Sequence, residues 1–259
     1  MSQHVATRRV AELRVPEITA FFWVIKALST AMGEATSDYL VHVMAPVAAV
    51  GLGFVGFLVA LGLQLSRHRY VAWAYWLAVV MVGVFGTMAA DVLHVGLHVP
   101  YVVSSILFAV VLAVIFLVWS HTEHTLSIHE INTPRRELFY WATVVATFAT
   151  GTAVGDLTAT VLHLGYLRSG LLFAAVLLAI ALSFWRRRWN PILAFWLAYI
   201  MTRPLGASSA DWVGKPKSVG GLGIGSGVVS LSLTLAIVVL VGYLSVTHSD
   251  VQHRGAHLR

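Results

Sequence analysis

Long apolar stretches alternate with short polar or basic segments along most of the chain. Each stretch approaches the ~20 residues that a helix needs to cross the ~30 Å hydrocarbon core of a bilayer. The pattern therefore predicts an all-α membrane protein with eight transmembrane helices. The predicted spans are residues 18–40, 47–66, 71–94, 101–119, 138–160, 169–185, 191–211 and 224–246.

One phrase recurs in the odd-numbered spans: an aromatic residue, Trp, nine residues, Gly, four residues and Asp. Its aromatic pairs are Phe22-Trp23, Tyr75-Trp76, Tyr140-Trp141 and Phe195-Trp196. The glycines are Gly33, Gly86, Gly151 and Gly206, and the acids are Asp38, Asp91, Asp156 and Asp211. Four copies in one register indicate tandem duplication of a two-helix unit.

The predicted repeats define the domain organisation. They cover residues 18–66, 71–119, 138–185 and 191–246 of a single transmembrane domain, 18–246, with the longest loop, 120–137, between its halves. Segments 1–17 and 247–259 flank this domain. Because each unit has two spans, every copy enters the membrane in the same direction, which predicts parallel repeats around a pseudo-symmetry axis along the membrane normal.

The charges indicate topology rather than a nucleic-acid partner. Only 11% of residues are charged and 58% are hydrophobic, and most of the basic residues behind the net charge of +6 lie in loops on the side of the two termini. The positive-inside rule then places both termini in the cytoplasm and the protein in the inner membrane. The absence of cysteine excludes disulfides, iron–sulfur clusters and thiolate metal sites. The sequence leaves a homo-oligomer open.

The acids of the odd spans are the main candidates for function, because a carboxylate inside a membrane is costly and usually functional. We expect Glu34, Asp38, Asp91, Asp156 and Asp211 to bind an ion or protons. Glu34 and Asp38 lie four residues apart on one helix face, so either one is protonated or a cation sits between them. Two bases inside spans, Lys26 and Arg203, are predicted to balance this charge.

The other repeated residues receive structural roles. Trp23, Trp76, Trp141 and Trp196 are predicted to anchor the helices at the membrane interface. The four repeat glycines are predicted to let helices pack closely or to act as hinges. Pro204, after Arg203, is predicted to break the seventh helix and line a cavity.

Histidines follow the acids in three copies. His42 is four residues after Asp38, His94 and His98 are three and seven after Asp91, and His163 is seven after Asp156. These spacings place the side chains on the face of the acid. Imidazole and carboxylate together suit a divalent transition metal, and His also relays protons near neutral pH.

The chain resembles a bacterial family of membrane proteins built from four tandem copies of a "repeat of unknown function", each with two spans and a characteristic Trp. The resemblance rests on the aromatic-Trp pairs, on Gly33-Glu34, Gly86-Thr87 and Gly151-Thr152, and on the Asp of each copy, and it covers roughly residues 18–246. It implies the repeat organisation and no settled activity.

These observations favour a non-enzymatic secondary transporter that carries a cation, specifically a divalent metal coupled to protons. The metal would be a substrate, and no resident cofactor is assigned. A cation channel with an acidic selectivity ring is the alternative. Two further hypotheses stay open: a haem-binding electron carrier with paired histidine ligands, and a membrane enzyme that acts on a lipid through paired acids.

Overall fold

The computed structural model describes residues 13–186 and 189–252, and these contain eight long α-helices. The outer parts of the predicted flanking segments, 1–12 and 253–259, lie outside the described residues. The helices are α1 (Ala20–Val43), α2 (Pro46–Leu65), α3 (Ala72–Asp91), α4 (Tyr101–Glu123), α5 (Pro134–Asp156), α6 (Gly165–Trp185), α7 (Pro191–Gly214) and α8 (Ser226–Thr247).

Local sequence sets where several helices begin. The side chains of Thr19, Thr133 and Asn190 accept hydrogen bonds from backbone N–H groups in the first turns of α1, α5 and α7. These N-caps satisfy donors that have no partner inside the helix. Pro occupies the first position of α2, α5 and α7, where its missing N–H costs nothing.

Six of these helices are long and apolar enough to cross a membrane, which supports a multi-pass membrane protein. The other two, α1 and α7, are just as long but carry internal charges, among them Lys26, Glu34 and Arg203. Charge, rather than length, therefore separates α1 and α7 from the rest.

The odd helices form a closed inner ring. In order around it, α1 packs against α3, α3 against α5, α5 against α7, and α7 against α1. Each even helix packs outside the odd helix of the next repeat: α2 on α3, α4 on α5, α6 on α7, and α8 on α1. The contact of α8 with α1 closes the chain on itself.

Burial separates the two classes as the sequence predicts. In each even helix, 22% of the residues in an apolar stretch of 18 residues are buried. The corresponding share is 56% for α3 and 72% for α5. Large apolar side chains such as Leu107, Leu171 and Val238 point outward from the even helices. The even helices thus form an apolar shell suited to lipid, and the odd helices form the interior.

The predicted helix break at Pro204 is wrong, because α7 runs without interruption from Pro191 to Gly214. By contrast, α3 and α5 both end in a π-helical turn directly after the repeat Asp, over Val92–Gly96 and Leu157–Val161. Such turns are rare in proteins as a whole, and those that occur are often found at functional sites.

The bundle has two different ends. The terminal face carries the first and last described segments, 13–19 and 248–252, and there Arg14 forms a 2.6 Å ion pair with the fully buried Glu137, whose other oxygen accepts from Gln64. On the same face the Tyr70 hydroxyl donates to Asp250. These contacts join the N-terminal segment, the ends of α2 and α5, the loop before α3 and the C-terminal segment into a cap. The acid face is the opposite end, where the repeat Asp residues lie.

Candidate functional site

The four repeat glycines lie where neighbouring inner helices approach most closely. A Cβ on any of them would lie less than 3.0 Å from a heavy atom of the next helix in the ring. The neighbours are Gly83 for Gly33, Phe148 for Gly86, Arg203 for Gly151, and Thr30 for Gly206. Each neighbour is the residue three positions before the glycine of the next copy. The glycines therefore serve close helix packing, and the same contact recurs at each of the four helix boundaries of the ring.

A layer of aromatic side chains fills the ring toward the terminal face. The aromatic residue of each pair contacts the Trp of the next copy, with ring centroids 5.6–6.2 Å apart. The four contacts are Phe22–Trp76, Tyr75–Trp141, Tyr140–Trp196 and Phe195–Trp23. The Tyr75 and Tyr140 hydroxyls are also hydrogen bonded to each other. These rings close the terminal end of the axis.

The position of the tryptophans corrects the prediction of interface anchors. Trp76, Trp141 and Trp196 are 1%, 1% and 4% exposed, so their rings pack inside the bundle. An interface anchor needs its ring among lipid headgroups. Only Trp23, which is half-buried, keeps part of its surface for that role.

Arg203 occupies the middle of the ring and joins all four inner helices. Its Nη2 donates to Glu34 Oε2 at 2.8 Å on α1, to Thr87 on α3 and to Thr152 Oγ1 at 2.7 Å on α5. Its Nη1 donates to the Thr30 carbonyl at 3.2 Å. The side chain is fully buried. Glu34, Thr87 and Thr152 each directly follow a repeat glycine, which places them at one level. The predicted charge-balancing role of Arg203 therefore has a defined partner in this structure, Glu34.

A second cluster of charges lies one turn closer to the acid face. Carboxylate oxygens of Glu34, Asp38 and Asp211 lie within 4.8 Å of one another. The ammonium of Lys215 lies 3.0 Å from Asp211 Oδ2 and 3.7 Å from Asp38 Oδ2. We call Glu34, Asp38 and Asp211 the acid cluster.

The position of Lys215 is set by its helix and its loop. It is the C-cap of α7, four residues after Asp211. Its backbone carbonyl packs so closely on Gly221 that a side chain there would collide with it. Burial lowers the pKa of Lys215, but the carboxylates of Asp211 and Asp38 outweigh that effect, so its pKa lies above the ordinary value. Lys215 is thus held as a cation on the acid cluster.

The other two repeat acids belong to the same level but not to the cluster. Asp91 and Asp156 end α3 and α5, and they interact electrostatically with Glu34 and Asp38. Within residues 13–186 and 189–252, they do not join the group of ligand atoms formed by Glu34, Asp38 and Asp211. The ring of four acids is therefore asymmetric, with its centre on α1 and α7.

The histidines do not join the acid cluster in the described part of the chain. His98 and His163 are exposed and have φ values of 54° and 53°, so they form the left-handed turn after each π-helical segment. His42 is exposed and contacts its own helix through the Asp38 carbonyl at 2.5 Å. These three positions correct the prediction of metal ligands.

The fourth of these histidines, His94, is buried, and its ring contacts neighbouring residues rather than the acid cluster. Its ring stacks on Tyr101 with centroids 4.0 Å apart and contacts the Val99 carbonyl and the Ser104 hydroxyl. His98 and His163 each lie seven residues after the repeat Asp because α3 and α5 end in the same way. Their spacing therefore reflects how these helices end rather than a pattern of metal ligands.

Two contributions to the site were not assigned from sequence. Lys215 is not among the predicted site residues, although its spacing of four residues from Asp211 is the usual sign of a helical ion pair. Thr87 and Thr152 appeared only as part of the repeat, although both follow a glycine that faces the ring. Lys26, predicted to balance charge, makes no ion pair with a carboxylate of the described residues, and its Nζ lies over the rings of Phe148 and Tyr199.

Comparison with known families matches the chain to the family described as Repeat of Unknown Function (DUF347) over residues 74–125, 139–189 and 194–250. These ranges cover the second, third and fourth repeats. Comparison with curated proteins and with solved structures finds no match. Because the matched residues make up more than half of the chain, the protein belongs to the Repeat of Unknown Function (DUF347) family.

Proposed function

We propose that the protein is a secondary transporter that binds a cation at the acid cluster and couples its movement to protons. In this proposal all eight helices cross the inner membrane around a pseudo-four-fold axis, with both termini in the cytoplasm. The contact of each repeat glycine with the next helix, repeated at four boundaries, supports the axis. The concentration of arginines in the loops of the terminal face supports a cytoplasmic location for that face.

The observation that carries the proposal is that a cation already occupies the acid cluster. The Lys215 ammonium lies on Asp211 and Asp38. Asp211 is 3% exposed, and its second oxygen, Oδ1, is buried without a hydrogen-bond partner. A buried carboxylate with a free oxygen is costly unless it is paired. A small cation that entered from the acid face would satisfy that oxygen and replace Lys215.

The chemistry of the cluster narrows the class of cation. Its ligands are carboxylate oxygens, since the histidines lie elsewhere. Oxygen ligands suit magnesium, calcium and manganese, whereas zinc and copper prefer nitrogen or sulfur. We therefore favour an oxygen-preferring divalent cation such as Mn²⁺. This choice revises the expectation of mixed His and Asp ligands.

The packing of the ring favours a transporter over the alternative of a channel. Arg203 crosses the axis and bonds to three other helices, and the aromatic layer lies between it and the terminal face. An ion on the acid cluster would meet this barrier. Passage requires the barrier to rearrange, which is the behaviour of alternating access rather than of an open pore.

Flux into liposomes tests the proposal. Purified protein is reconstituted, and uptake of Mn²⁺, Mg²⁺, Ca²⁺ and Zn²⁺ is measured with and without a proton gradient. We expect Mn²⁺ uptake that depends on the gradient and is lost in Asp211→Asn. Glu130→Gln, at an exposed loop acid, serves as the control and should transport normally. Equal uptake by Asp211→Asn and the unmodified protein would refute the proposal.

A further inference from the structure

Among the described lysines, Lys26 is the one that is fully buried, and its Nζ has no hydrogen-bond partner and no ion pair. It is fully buried in the inner ring, two helical turns before Glu34. Its Nζ lies 4.1 Å from the centroid of Phe148 and 4.0 Å from that of Tyr199. Two aromatic faces therefore enclose a fully buried amine.

The charged and titratable groups around Lys26 offer it no counter-ion. From α7 it faces Tyr199 and Arg203, and Arg203 opposes a second positive charge. From α5 it faces Phe148. The titratable residues of α3, Tyr75 and Asp91, lie toward the two ends of that helix.

The outer neighbours of α1 add no carboxylate. Its partners α2 and α8 contain no Asp or Glu within their helices, and the titratable residue of α8 is the half-exposed Tyr243. Among the residues that the structure describes, the nearest acid along α1 is Glu34, about 12 Å away by helical rise. Glu34 is already paired with Arg203.

The absence of a counter-ion determines whether Lys26 is protonated. The Arg203–Glu34 pair is neutral as a unit, so a charged Lys26 would be an unpaired and fully buried ion. Desolvating an unpaired ion is costly even after the protein relaxes, and the two cation–π contacts return only part of that cost. Lys26 can avoid this cost by releasing its proton.

We propose that Lys26 is the proton-binding site that couples transport: it is a neutral amine in this closed state and takes up a proton when the terminal face opens. Water that enters past the aromatic layer would deliver the proton and solvate the ammonium that forms. Closing the layer again would expel the water, and Lys26 would then release its proton to water that enters from the acid face when that side of the ring opens. This role rests on the proposed function, because it supplies the proton step of that transport.

The sequence itself supplies the decisive variant. The positions equivalent to Lys26 in the second and third repeats, seven residues before the glycine, are Val79 and Val144. An apolar side chain therefore fits this layer of the ring. Lys26→Met should fold and keep the acid cluster intact, because the cluster lies on the other side of Arg203.

The protonation state can be measured without any transport assay. The chain has three lysines, Lys26, Lys215 and Lys217. Protein labelled with ¹³C and ¹⁵N lysine thus gives three side-chain signals, each assigned by its Met variant. At neutral pH we expect Lys26 to show the shifts of an amine, while Lys215 and the exposed Lys217 show those of ammonium. An ammonium signal from Lys26 would overturn the proposal.

Flux measurements test the coupling itself. In liposomes loaded with a pH dye, Lys26→Met should lose the proton movement that accompanies Mn²⁺ uptake, while Mn²⁺ still binds the purified variant. Lys217→Met is the control and should keep both. Proton movement that persists in Lys26→Met would overturn the proposal. If the unmodified protein moves no Mn²⁺, the proposed function fails on its own, and the NMR result still decides the state of Lys26.

Discussion

The ion pair between Arg203 and Glu34 should be among the strongest single determinants of stability in the bundle. Glu34→Leu would leave a fully buried guanidinium with the Thr30 carbonyl and two threonine hydroxyls as its partners. Removing one member of a buried pair typically costs about 3–5 kcal/mol. With about 2–4 °C per kcal/mol for a chain of this size, the midpoint of thermal unfolding in detergent should fall by about 6–20 °C.

The double variant Glu34→Leu/Arg203→Met tests the reasoning. It removes both charges, and replacing a buried ion pair by apolar side chains is often neutral or stabilising. We therefore expect it to recover most of the loss seen in Glu34→Leu. Glu130→Leu is the control, because its carboxylate is exposed, 3.6 Å from Arg136, and should cost less than about 1 kcal/mol. A double variant whose loss equals the sum of the single losses would refute an energetic coupling between Arg203 and Glu34.

Two further predictions concern packing and pH. Gly206→Ala would push a methyl group into Thr30 and should lower the free energy of unfolding by about 1–3 kcal/mol. Gly242→Ala meets open space and should raise it by up to about 1 kcal/mol. Thermal unfolding of the two variants measures this difference. Burial raises the pKa of Asp250, so the folded state holds its proton more tightly than the unfolded chain. The stability from that proton is complete below the unfolded pKa of about 4 and is lost as the pH rises through the folded pKa. Asp250→Asn should therefore become more stable relative to the unmodified protein as the pH rises from about 4 to about 7. The unfolding midpoints of both proteins across this pH range measure the effect. A constant difference between the two midpoints would contradict the prediction.

Much of the fold could be predicted because apolar length and repeat register are local properties of the sequence. Each of the eight predicted spans has a corresponding helix, with ends displaced by a few residues where caps and π-helical turns decide them. The close-packing role of the glycines could also be predicted, since Gly at the same position of every copy indicates that a neighbouring helix approaches the backbone there.

The details of the site depended on which helices meet, and spacing along one helix does not contain that information. Glu34 pairs with a residue 169 positions away, and Asp211 and Asp38 meet because α7 closes the ring against α1. The histidines lie outside the acid cluster of the described residues for a similar reason. Their spacing fits a helix face, but α3 and α5 change to π-helical turns before His98 and His163, which lie in the left-handed turns that follow.

Binding of Mn²⁺ to purified protein at neutral pH, compared among the unmodified protein, Lys215→Met and Asp211→Asn, tests the central claim most directly. Lys217→Met controls for the loss of a loop charge. If the acid cluster is a cation site that Lys215 occupies in the absence of substrate, Lys215→Met should bind Mn²⁺ more tightly than the unmodified protein, and Asp211→Asn should lose binding. Equal affinity in all of these proteins, or no binding even in Lys215→Met, would contradict it.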